Sequence, residues 1–525
     1  MSDQQEFDVV VVGAGISGID IGYRLQTSNP DLSYTILEGR SSIGGTWDLF
    51  KYPGLRSDSD MYTLGFPFEP WQGERSIAGG DDILAYIKHT ASKYAIDQHI
   101  QLDTMVRGIS WSSEQERWTV RVDRADGPGE VRAKYVYFAS GYYSYEAPYT
   151  PPFPGRETFR GQVVHPQFWP EDLDYRGKKV VVIGSGATAV TLVPALAERG
   201  AGQVTMLQRT PSYILPLPGA DPVANQMRAR MSNKQRAYTL TRWRNIVQTL
   251  GFYQFSRRMP KVATKVLTSG PRVALRGSEA YDPKHFQPPY KPWDQRVCII
   301  PDGDLFRELK KGNAEIVTDT IAEFVPEGIR TGSGQLIEAD IIVTATGLQM
   351  LLGGGADVEI DGEQVDLSRH FVYRGCMLEG VPNAALSIGY TNASWTLRSD
   401  LSAQFFCRVV KHTEKGGFAA FVPRVKGAPL RSLSVLDLTS GYVQRLVATF
   451  PKRGDRRPWM VRQNYLLDSL EMRRATVDSE MEYVRPGERP KLGNGTAASV
   501  PEDAPPVVPV TPPAEAPDEA PALAG

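Results

Sequence analysis

The sequence predicts an α/β fold with two parallel-sheet modules and one helical insertion. A β-branched run at residues 7–12 and another at 34–38 flank a glycine-punctuated stretch whose apolar residues recur at helical spacing. The same strand–helix–strand order returns at residues 179–208, and a charge-biased helical region follows at 222–278. Because parallel strands need a crossover helix between them, the two openings predict two related modules rather than an array of repeats.

Composition limits the class of protein. The 525 residues are 41% hydrophobic and 23% charged, which is typical of a globular chain with more than one domain. The 59 Lys and Arg residues balance the 60 Asp and Glu residues, so the net charge does not indicate a nucleic-acid partner. Cys298, Cys376 and Cys407 are far apart in sequence, which excludes a disulfide framework, a dithiol redox motif and a clustered metal site.

Targeting signals are not evident in the sequence. The N-terminus, MSDQQEF, carries acids and no apolar segment. The longest uncharged apolar stretch, residues 341–356, is glycine-rich and shorter than the ~20 residues of a membrane-spanning helix. We therefore expect a soluble, cytoplasmic protein, with peripheral membrane association left open.

The first module carries a GxGxxG motif directly after its first strand. Gly13 permits the tight turn, Gly15 lets a pyrophosphate approach the backbone, and Gly18 lets helix and strand pack closely. The phosphates would lie at the helix N-terminus, where free N–H groups and the helix dipole favour anions. Glu38 ends the second strand, 20 residues after Gly18, and can accept hydrogen bonds from ribose hydroxyls. Together these features predict a Rossmann-like dinucleotide-binding domain; the alternative is a glycine-rich turn without a ligand.

The second module repeats the arrangement with a different charge. Its motif contains Gly184, Gly186 and Ala189, and alanine is allowed at the third position. Twenty residues after Ala189 the chain has Arg209 rather than an acid, followed by Thr210. Because an arginine can bind a 2′-phosphate bidentately, we expect these residues to bind NADPH rather than NADH. The alternative is a solvent-facing arginine at a strand end. Opposite charges on the two second strands predict FAD on the first module and NADPH on the second.

The helical insertion is strongly basic. Residues 228–276 contain 12 Lys and Arg residues and no Asp or Glu. Trp243, Ile246, Val247 and Leu250 follow i, i+3, i+4, i+7 spacing, which predicts an amphipathic helix. We expect this apolar stripe to pack on the second module. The alternative is an interfacial surface that docks on anionic lipid.

The segment between the two modules contains a family fingerprint. Residues 159–170 read FRGQVVHPQFWP. They resemble FxGxxxHxxxW(P/D), the fingerprint of type I Baeyer–Villiger monooxygenases, and every fixed position matches: Phe159, Gly161, His165, Trp169 and Pro170. The related N- and S-oxidising flavin monooxygenases lack the Trp-Pro ending.

Further segments extend the resemblance from residue 7 to about residue 485. GGTW, with Thr46 and Trp47, and YPGLRSD at 52–58 are similar to the family's flavin-contacting segment, although Phe50 stands where an Asn is common. ATG at 345–347 resembles the linker that returns to the flavin domain. WDQR at 293–296 and GYTN at 389–392 are most similar to the ethionamide-activating monooxygenase subfamily.

The resemblance implies a mechanism and roles for several residues. NADPH reduces FAD, O2 adds to give a C4a-peroxyflavin, and ketones become esters or lactones, with sulfide and thioamide S-oxygenation as a related activity. Arg296 matches the active-site arginine that stabilises anionic oxygen, and Asp58 matches the carboxylate that orients it. Asp60 is the rival carboxylate. His165 is expected to couple domain movement to cofactor binding rather than to act as a general base. Simpler alternatives are a structural ion pair for Arg296 and a turn cap for Asp58.

Other functions remain as alternatives. The main one is an N- or S-oxygenating flavin monooxygenase with little ketone activity. A pyridine nucleotide–disulfide reductase shares the two-module layout but needs a flavin-adjacent cysteine pair that this chain lacks. A catalytically silent nucleotide-binding protein is disfavoured because Arg296 and Asp58 are present. The scattered histidines indicate no metal site, and the oligomeric state is left open.

These observations predict a domain order along the chain. Residues 1–150 form the first part of the FAD domain, and 151–345 form the NADPH domain with its insertion at about 216–290. Residues 346–485 return to the FAD domain. Residues 486–525 are predicted to be a disordered tail, because the last 25 residues hold 8 prolines and 5 acids without Lys or Arg.

Overall fold

A computed structural model describes residues 5–435 and 449–490, with the further positions 441, 445, 495 and 496. The predicted disordered tail therefore lies outside the described residues except at 486–490, 495 and 496.

The strands of the described chain are β1 (Gln5–Val12), β2 (Tyr34–Leu37), β3 (Ile100–Gln101), β4 (Met105–Ser112), β5 (Arg117–Arg124), β6 (Gly127–Phe138), β7 (Tyr143–Pro148), β8 (Gln162–Val164), β9 (Lys179–Ile183), β10 (Gln203–Gln208), β11 (Ile214–Leu217), β12 (Cys298–Pro301), β13 (Ala314–Thr318), β14 (Ile321–Val325), β15 (Gly328–Thr331), β16 (Leu336–Glu338), β17 (Ile341–Thr344), β18 (Leu348–Met350), β19 (Asp357–Ile360), β20 (Glu363–Gln364), β21 (Val372–Tyr373), β22 (Met377–Leu378), β23 (Ala384–Leu386), β24 (Ala420–Pro423), β25 (Leu433–Ser434), β26 (Lys452–Arg453) and β27 (Met481–Val484).

The α-helices are α1 (Ile16–Ser28), α2 (Thr46–Leu49), α3 (Met61–Leu64), α4 (Gly80–Lys93), α5 (Ala187–Glu198), α6 (Pro222–Arg230), α7 (Lys234–Arg258), α8 (Pro260–Ala274), α9 (Asp304–Lys311), α10 (Trp395–Lys415) and α11 (Tyr465–Arg474). Short 3-10 helices lie at Asp97–His99, Arg156–Thr158, Pro166–Phe168, Pro283–His285, Leu352–Gly355 and Leu367–Arg369.

The first sheet has the strand order β20-β19-β4-β5-β6-β1-β2-β3, and β23 pairs with β6. Its centre is parallel, because β1 pairs in parallel with both β2 and β6. Val9 to Val12 on β1 are all buried, as expected for a strand covered on both faces. Helices α1 and α10 pack together against this sheet. Chain segments that precede and follow the second module in sequence therefore build one core.

The second sheet is parallel, with the order β13-β10-β9-β17-β8. Helices α5 and α9 pack against it and share a core cluster with β9 and β10. The chain therefore contains the two Rossmann-like modules that the sequence predicts, and each glycine motif follows the first strand of its module. The residue limits proposed for the domains stay predictions.

A two-stranded ribbon connects the modules. Strand β7 leads the chain out of the first module, and β18 brings it back. The two strands pair antiparallel, with Leu348 opposite Pro148 and Met350 opposite Tyr143. The outgoing and returning segments of the chain thus lie side by side between the modules.

The insertion forms α6, α7 and α8, and its packing corrects the sequence expectation. Of the predicted apolar stripe only Ile246 is buried, and it packs in the core of the first module rather than the second. Trp243 and Val247 are 36% and 54% exposed. The physical reason is Arg242, a buried arginine whose Nη1 donates to the carbonyl oxygens of Tyr62, Thr63 and Gly65 at the end of α3. These bonds set the rotation of α7.

Two further findings concern membranes and cysteines. No helix within the described residues combines the length and apolar character needed to cross a bilayer. Cys298 opens β12 and, like Cys376 and Cys407, is buried and free. Burial raises the pKa of each of these thiols to about 12, so none of them is a reactive thiolate at neutral pH.

Candidate active site

The turn after β1 requires glycine at two positions. Gly13 has φ +100°, and a Cβ atom there would lie 3.0 Å from the carbonyl oxygen of Ala139. A Cβ atom on Gly18 would lie 2.0 Å from the carbonyl oxygen of Gly13. The first glycine therefore supplies the backbone conformation, and the third allows α1 to approach the strand.

The N-terminus of α1 is open to a ligand. Gly15 stands at the N-cap without a side-chain hydrogen bond, and the first turn holds no acidic residue. A Cβ atom on Gly15 would lie 3.6 Å from the Cα atom of Gly45, so a side chain would narrow the channel between two backbone segments. Helix α5 begins in the same way at Gly186, again without a side-chain cap or an acid in its first turn. Both starts fit a phosphate group, because backbone N–H donors remain free there.

Glu38 follows β2 and points toward the first glycine motif. Its Oε2 accepts a hydrogen bond from the backbone N–H of Ala14 at 2.7 Å, and its Oε1 accepts one from that of Arg40 at 3.0 Å. The residue is only 5% exposed. Burial raises the pKa of Glu38, and the two backbone donors oppose that shift. The carboxylate is thus held at the cavity wall in one orientation.

A cavity of about 520 Å³ joins the first glycine motif to the second module. It brings together seven of the predicted site residues: Gly13, Gly15, Glu38, Thr46, Trp47, Asp58 and Arg296. Ala187 and Thr191, near the start of α5, also line it. A ligand bound to the first motif would therefore extend toward the place where the second nucleotide is predicted to bind.

Arg296 and Asp58 form an ion pair at the wall of this cavity. Arg296 Nη1 lies 3.1 Å from Asp58 Oδ2, and the two side chains are 38% and 30% exposed. Arg296 belongs to the segment that leads into β12, whereas Asp58 lies in the loop before α3. The rival carboxylate, Asp60, instead caps α3 and accepts hydrogen bonds from the backbone N–H groups of Tyr62 and Thr63. The structure therefore brings Asp58, and not Asp60, to the arginine.

Sequence reasoning gave Arg56 no role of its own, although it lies in the YPGLRSD segment. Its side chain lines the cavity and pairs with Asp304, the first residue of α9, at 2.5 Å. Both side chains are largely buried. Tyr52, two residues before Gly54, lies beside Thr188 of α5, and burial raises its pKa to about 12. The loop at residues 52–58 thus contacts the second module at three separate places.

In the second nucleotide motif, Ala187 lines the cavity, whereas Gly184, Gly186 and Ala189 do not. Gly184 has φ +136°, and a Cβ atom there would lie 2.4 Å from the carbonyl oxygen of Ala345. A Cβ atom on Gly186 would meet no atom within 4 Å, and Ala189 is fully buried. Arg209 is exposed, and the carbonyl oxygen of Thr210 accepts a hydrogen bond from Ser185. The arginine is therefore accessible to a solvent-facing phosphate group.

The residues of the fingerprint segment are mostly packing residues. Phe159 contacts Phe324 at a ring-centroid distance of 6.4 Å. A Cβ atom on Gly161 would lie 2.2 Å from the carbonyl oxygen of Asp340. Trp169 is 9% exposed in the core of the second module, and Pro170 follows it at the surface of that core. None of these four lines the large cavity.

His165 lies against the ribbon that connects the modules. Its Nδ1 accepts a hydrogen bond from the backbone N–H of Gln167, whose side chain donates to the carbonyl oxygen of Ser144 on β7. Burial lowers the pKa of His165, and the nearby backbone carbonyls of Gly347 and Tyr149 oppose that shift. The fingerprint therefore touches both the outgoing and the returning chain.

Two further cavity features carried a weak sequence signal or none. Ala139-Ser140-Gly141 follows β6 and packs on Gly13, just as Ala345 packs on Gly184 after β17. The similarity between ASG at 139–141 and ATG at 345–347 is a sequence signal that the two modules share this feature. Trp395 lines the cavity and donates from Nε1 to Ser17 Oγ at 2.7 Å, and nothing in its sequence neighbourhood indicated this.

Among the residues that the structure describes, no group of three or more His, Cys, Asp or Glu side chains could hold a metal ion. The site is therefore built from backbone, carboxylates, arginines and aromatic rings.

Comparison with known proteins identifies relatives along most of the chain. A family profile described as pyridine nucleotide-disulphide oxidoreductase matches residues 10–216. The FAD-containing monooxygenase EthA of Mycobacterium tuberculosis is 48% identical over 477 residues, which are 91% of this chain and 97% of that protein. The probable FAD-binding monooxygenase AlmA of an Acinetobacter species is 42% identical over 497 residues, or 93% of this chain and 99% of that protein.

Solved structures share the fold. The crystal structure of cyclohexanone monooxygenase from Rhodococcus sp. Phi1 bound to NADP+ matches with a TM-score of 0.71 at 20% identity, covering 92% of this chain and 100% of that one. The region matched by the disulphide oxidoreductase profile ends before Cys298, the first cysteine of the chain. The disulfide chemistry in that profile's name thus has no cysteine pair here.

Proposed function

This chain belongs to the type I Baeyer–Villiger monooxygenase family, with EthA among its relatives, and we propose that it inserts one oxygen atom into ketones to give esters or lactones. In the balanced reaction, ketone, O2, NADPH and a proton give ester, water and NADP+. The observation that carries this proposal is the Arg296–Asp58 pair in one cavity with the first glycine motif.

The first module fits FAD. When bound and reduced by NADPH, a flavin supplies the reaction with O2 that delivers one oxygen atom to the substrate. The open start of α1 at Gly15 accepts the pyrophosphate, and Glu38 accepts hydrogen bonds from ribose hydroxyls. Thr46 and Trp47 line the same cavity further along.

The second module fits NADPH. The uncapped start of α5 at Gly186 receives the pyrophosphate, while Ala189 packs the helix against the sheet. Arg209 and Thr210, directly after β10, lie where the 2′-phosphate of the adenosine ribose would bind. The exposed guanidinium makes this domain selective for NADPH over NADH.

Arg296 stabilises negative charge on oxygen during the reaction. A guanidinium keeps its proton at any pH at which the protein is folded, so it remains a fixed cation beside the reacting atoms. Asp58 positions it, since a directed ion pair at 3.1 Å restricts an otherwise long and mobile side chain. Asp58 therefore acts through Arg296, and Arg296 acts on the substrate.

The substrates proposed are linear ketones of medium chain length, together with sulfides and thioamides as substrates for S-oxygenation. The second class rests on the likeness of residues 293–296 and 389–392 to the ethionamide-activating subfamily. The Trp169-Pro170 ending of the fingerprint favours ketone oxidation over an N- or S-oxygenase with little ketone activity.

Product analysis tests this proposal. The FAD-loaded protein is incubated with NADPH, air and a medium-chain 2-ketone, and the products are identified by mass spectrometry while hydrogen peroxide is quantified. We expect an ester one oxygen atom heavier than the ketone, with little peroxide. Peroxide equal to the NADPH consumed, with the ketone untouched, would contradict ketone oxidation. Conversion of a sulfide with little peroxide in a separate incubation would then support the S-oxygenase.

A further inference from the structure

Helix α8 of the insertion has one buried face. Ala263, Leu267 and Pro271 are buried. Leu267 packs in a cluster with Tyr213 and Val297. Because these residues recur every four positions, the opposite side of the helix faces solvent along its whole length.

The solvent-facing side carries a row of apolar side chains. Met259, Val262, Val266 and Val273 are 51%, 41%, 49% and 72% exposed. Within α8, steps of four and seven residues place the three valines in a stripe about 40° wide at 100° per residue, and Met259 directly precedes the helix. An exposed apolar row of this length indicates an interaction surface, since scattered single residues would be expected otherwise.

A basic row runs beside the apolar row. The same helical arithmetic places three exposed cations of α8 on the adjoining strip of surface, Lys261, Lys265 and Arg272, and Arg258 and Arg276 are exposed just outside the two ends of the helix. Between residues 228 and 278 the chain has no Asp or Glu that could neutralise them locally. The described ion pairs of α7 use Arg244 and Arg257 instead. We name this surface, residues 258–276, the α8 face.

We propose that the α8 face docks peripherally on a bilayer that contains anionic lipid. Lipid phosphates complement the basic row, and the short valine side chains reach into the boundary between headgroups and acyl chains. A second copy of this chain would bring the same basic row against itself across a twofold axis, so charge disfavours self-association there. Charge complementarity therefore selects the anionic surface.

The α8 face lies close to the candidate active site. Helix α8 packs on β11, where Gly270 approaches Pro216, and β11 pairs with β12. Ile299 of β12 lines the large cavity, and Arg296 lies two residues before that strand. Docking would hold the cavity near the bilayer, in which apolar substrates dissolve. This consequence rests on the proposed function, whereas the docking itself does not.

Vesicle sedimentation tests the docking. The FAD-loaded protein is centrifuged with vesicles of phosphatidylcholine alone or with about one-third phosphatidylglycerol, at low and high salt. We expect binding to the anionic vesicles to exceed binding to the neutral ones by about tenfold or more and to fall with salt. The variant Lys261→Glu/Lys265→Glu/Arg272→Glu should lose this binding. The variant Val266→Ser/Val273→Ser should lose it several-fold at unchanged charge.

Matched controls change equivalent residues elsewhere on the surface. Lys88→Glu/Lys310→Glu/Lys415→Glu reverses three other exposed charges, and Leu467→Ser/Leu470→Ser removes two other exposed apolar side chains. Both controls should bind anionic vesicles much better than the corresponding α8 variants. Conversion of a water-soluble ketone should be equal in all variants, which separates a failure of docking from a failure of the proposed reaction.

Three results would overturn the proposal. The wild-type protein could show no preference for anionic vesicles, or the control variants could lose as much binding as the α8 variants. Sedimentation velocity could also reveal self-association that needs Val266 and Val273 and occurs without vesicle binding, which would assign the face to a second copy.

Discussion

At the residue scale, the two arginines assigned to chemistry differ in how they are held. Arg296 is paired with Asp58 at 3.1 Å on the cavity wall, so its position depends on a residue far away in sequence. Arg209 directly follows β10, and its side chain is exposed to solvent. A fixed cation suits charge stabilisation in a reaction, while an accessible one suits binding of a phosphate that arrives from solution.

Replacing Arg296 should separate chemistry from flavin binding. We expect Arg296→Ala to lower ester formation by about 10²-fold or more, because a preorganised cation is removed from the reacting oxygen. Flavin absorbance per protein should stay unchanged. Arg121→Ala, an exposed arginine on β5, serves as the control and should keep full activity. Ketone turnover retained in Arg296→Ala would contradict the role given to this arginine.

Replacing Arg209 should change cofactor selectivity. In Arg209→Ala we expect the KM for NADPH to rise about tenfold or more, since a charge-assisted hydrogen bond to the 2′-phosphate is lost. The KM for NADH should change little, because NADH has no such phosphate. Steady-state kinetics with both nucleotides measure this, and an equal rise in the two KM values would mean that the arginine does not bind the phosphate.

At the element scale, each nucleotide motif is formed by one strand–turn–helix unit. The glycines after β1 and β9 are required for different reasons. Gly13 and Gly184 adopt a positive φ, whereas Gly18 allows the helix to approach the strand closely. The short helix after His165 adds a second kind of element, in which the Gln167 side chain donates to the carbonyl oxygen of Ser144 and so connects the fingerprint to the ribbon between the modules.

Adding one methyl group should test the close approach of α1 to its strand. A Cβ atom on Gly18 would lie 2.0 Å from a backbone oxygen, so Gly18→Ala forces strand and helix apart. We expect loss of bound FAD and a fall in the free energy of unfolding of about 2 kcal/mol or more. Gly251→Ala in α7 meets no atom within 4 Å and is the control. That variant should gain up to about 1 kcal/mol from helix propensity.

The acid sensitivity of the fold should depend partly on His165. Burial lowers its pKa in the folded protein, so the unfolded chain binds a proton at higher pH than the folded chain does. Acidification from about pH 7.5 to about pH 5.5 therefore destabilises the fold through this residue. His165→Asn keeps an acceptor for the N–H of Gln167 and removes the titration. We expect its Tm to fall less on acidification than that of the wild type or of His89→Asn, a change at an exposed histidine. Equal losses in all three proteins would assign the acid effect elsewhere.

At the scale of the whole molecule, contacts between the two modules decide whether the site is complete. The loop at residues 52–58 meets the second module through Tyr52, Arg56 and Asp58. Farther out, Arg75 and Asp302 form an exposed pair at 3.0 Å. The contacts of Tyr52 and Arg56 position the loop that carries Asp58, whereas exposed ion pairs contribute little to stability.

Breaking the largely buried pair between the modules should uncouple the reaction. Arg56→Met leaves Asp304 without its partner, and we expect a loss of about 3 kcal/mol in stability and a lower yield of ester per NADPH oxidised. Adding Asp304→Leu should recover much of the stability by removing the unpaired carboxylate. Arg75→Ala, at the exposed pair, should change neither quantity appreciably. Full coupling in Arg56→Met would rule out a positioning role for Arg56.

The local sequence pattern was enough to predict the two modules. Strand, glycine motif, helix and second strand are neighbours in the chain, so hydrophobic periodicity and glycine positions determine them with little help from distant residues. The strand–helix–strand unit predicted at 179–208 begins and ends at the same residues as β9 and β10, and the first module differs only by one or two residues at strand ends. The family motifs were readable for the same reason.

Tertiary structure alone decided which side chains meet. Arg296 and Asp58 are 238 residues apart, and the sequence favoured Asp58 over Asp60 only through the family resemblance, whereas the folded chain pairs Asp58 with Arg296 and uses Asp60 to cap α3. The rotation of α7 was decided by Arg242, whose bonds to three carbonyl groups outweigh the apolar stripe that the sequence displays. Hydrophobic periodicity predicts that a helix has an apolar and a polar face. Which segment each face packs against depends on contacts between residues distant in sequence, and those contacts form only on folding.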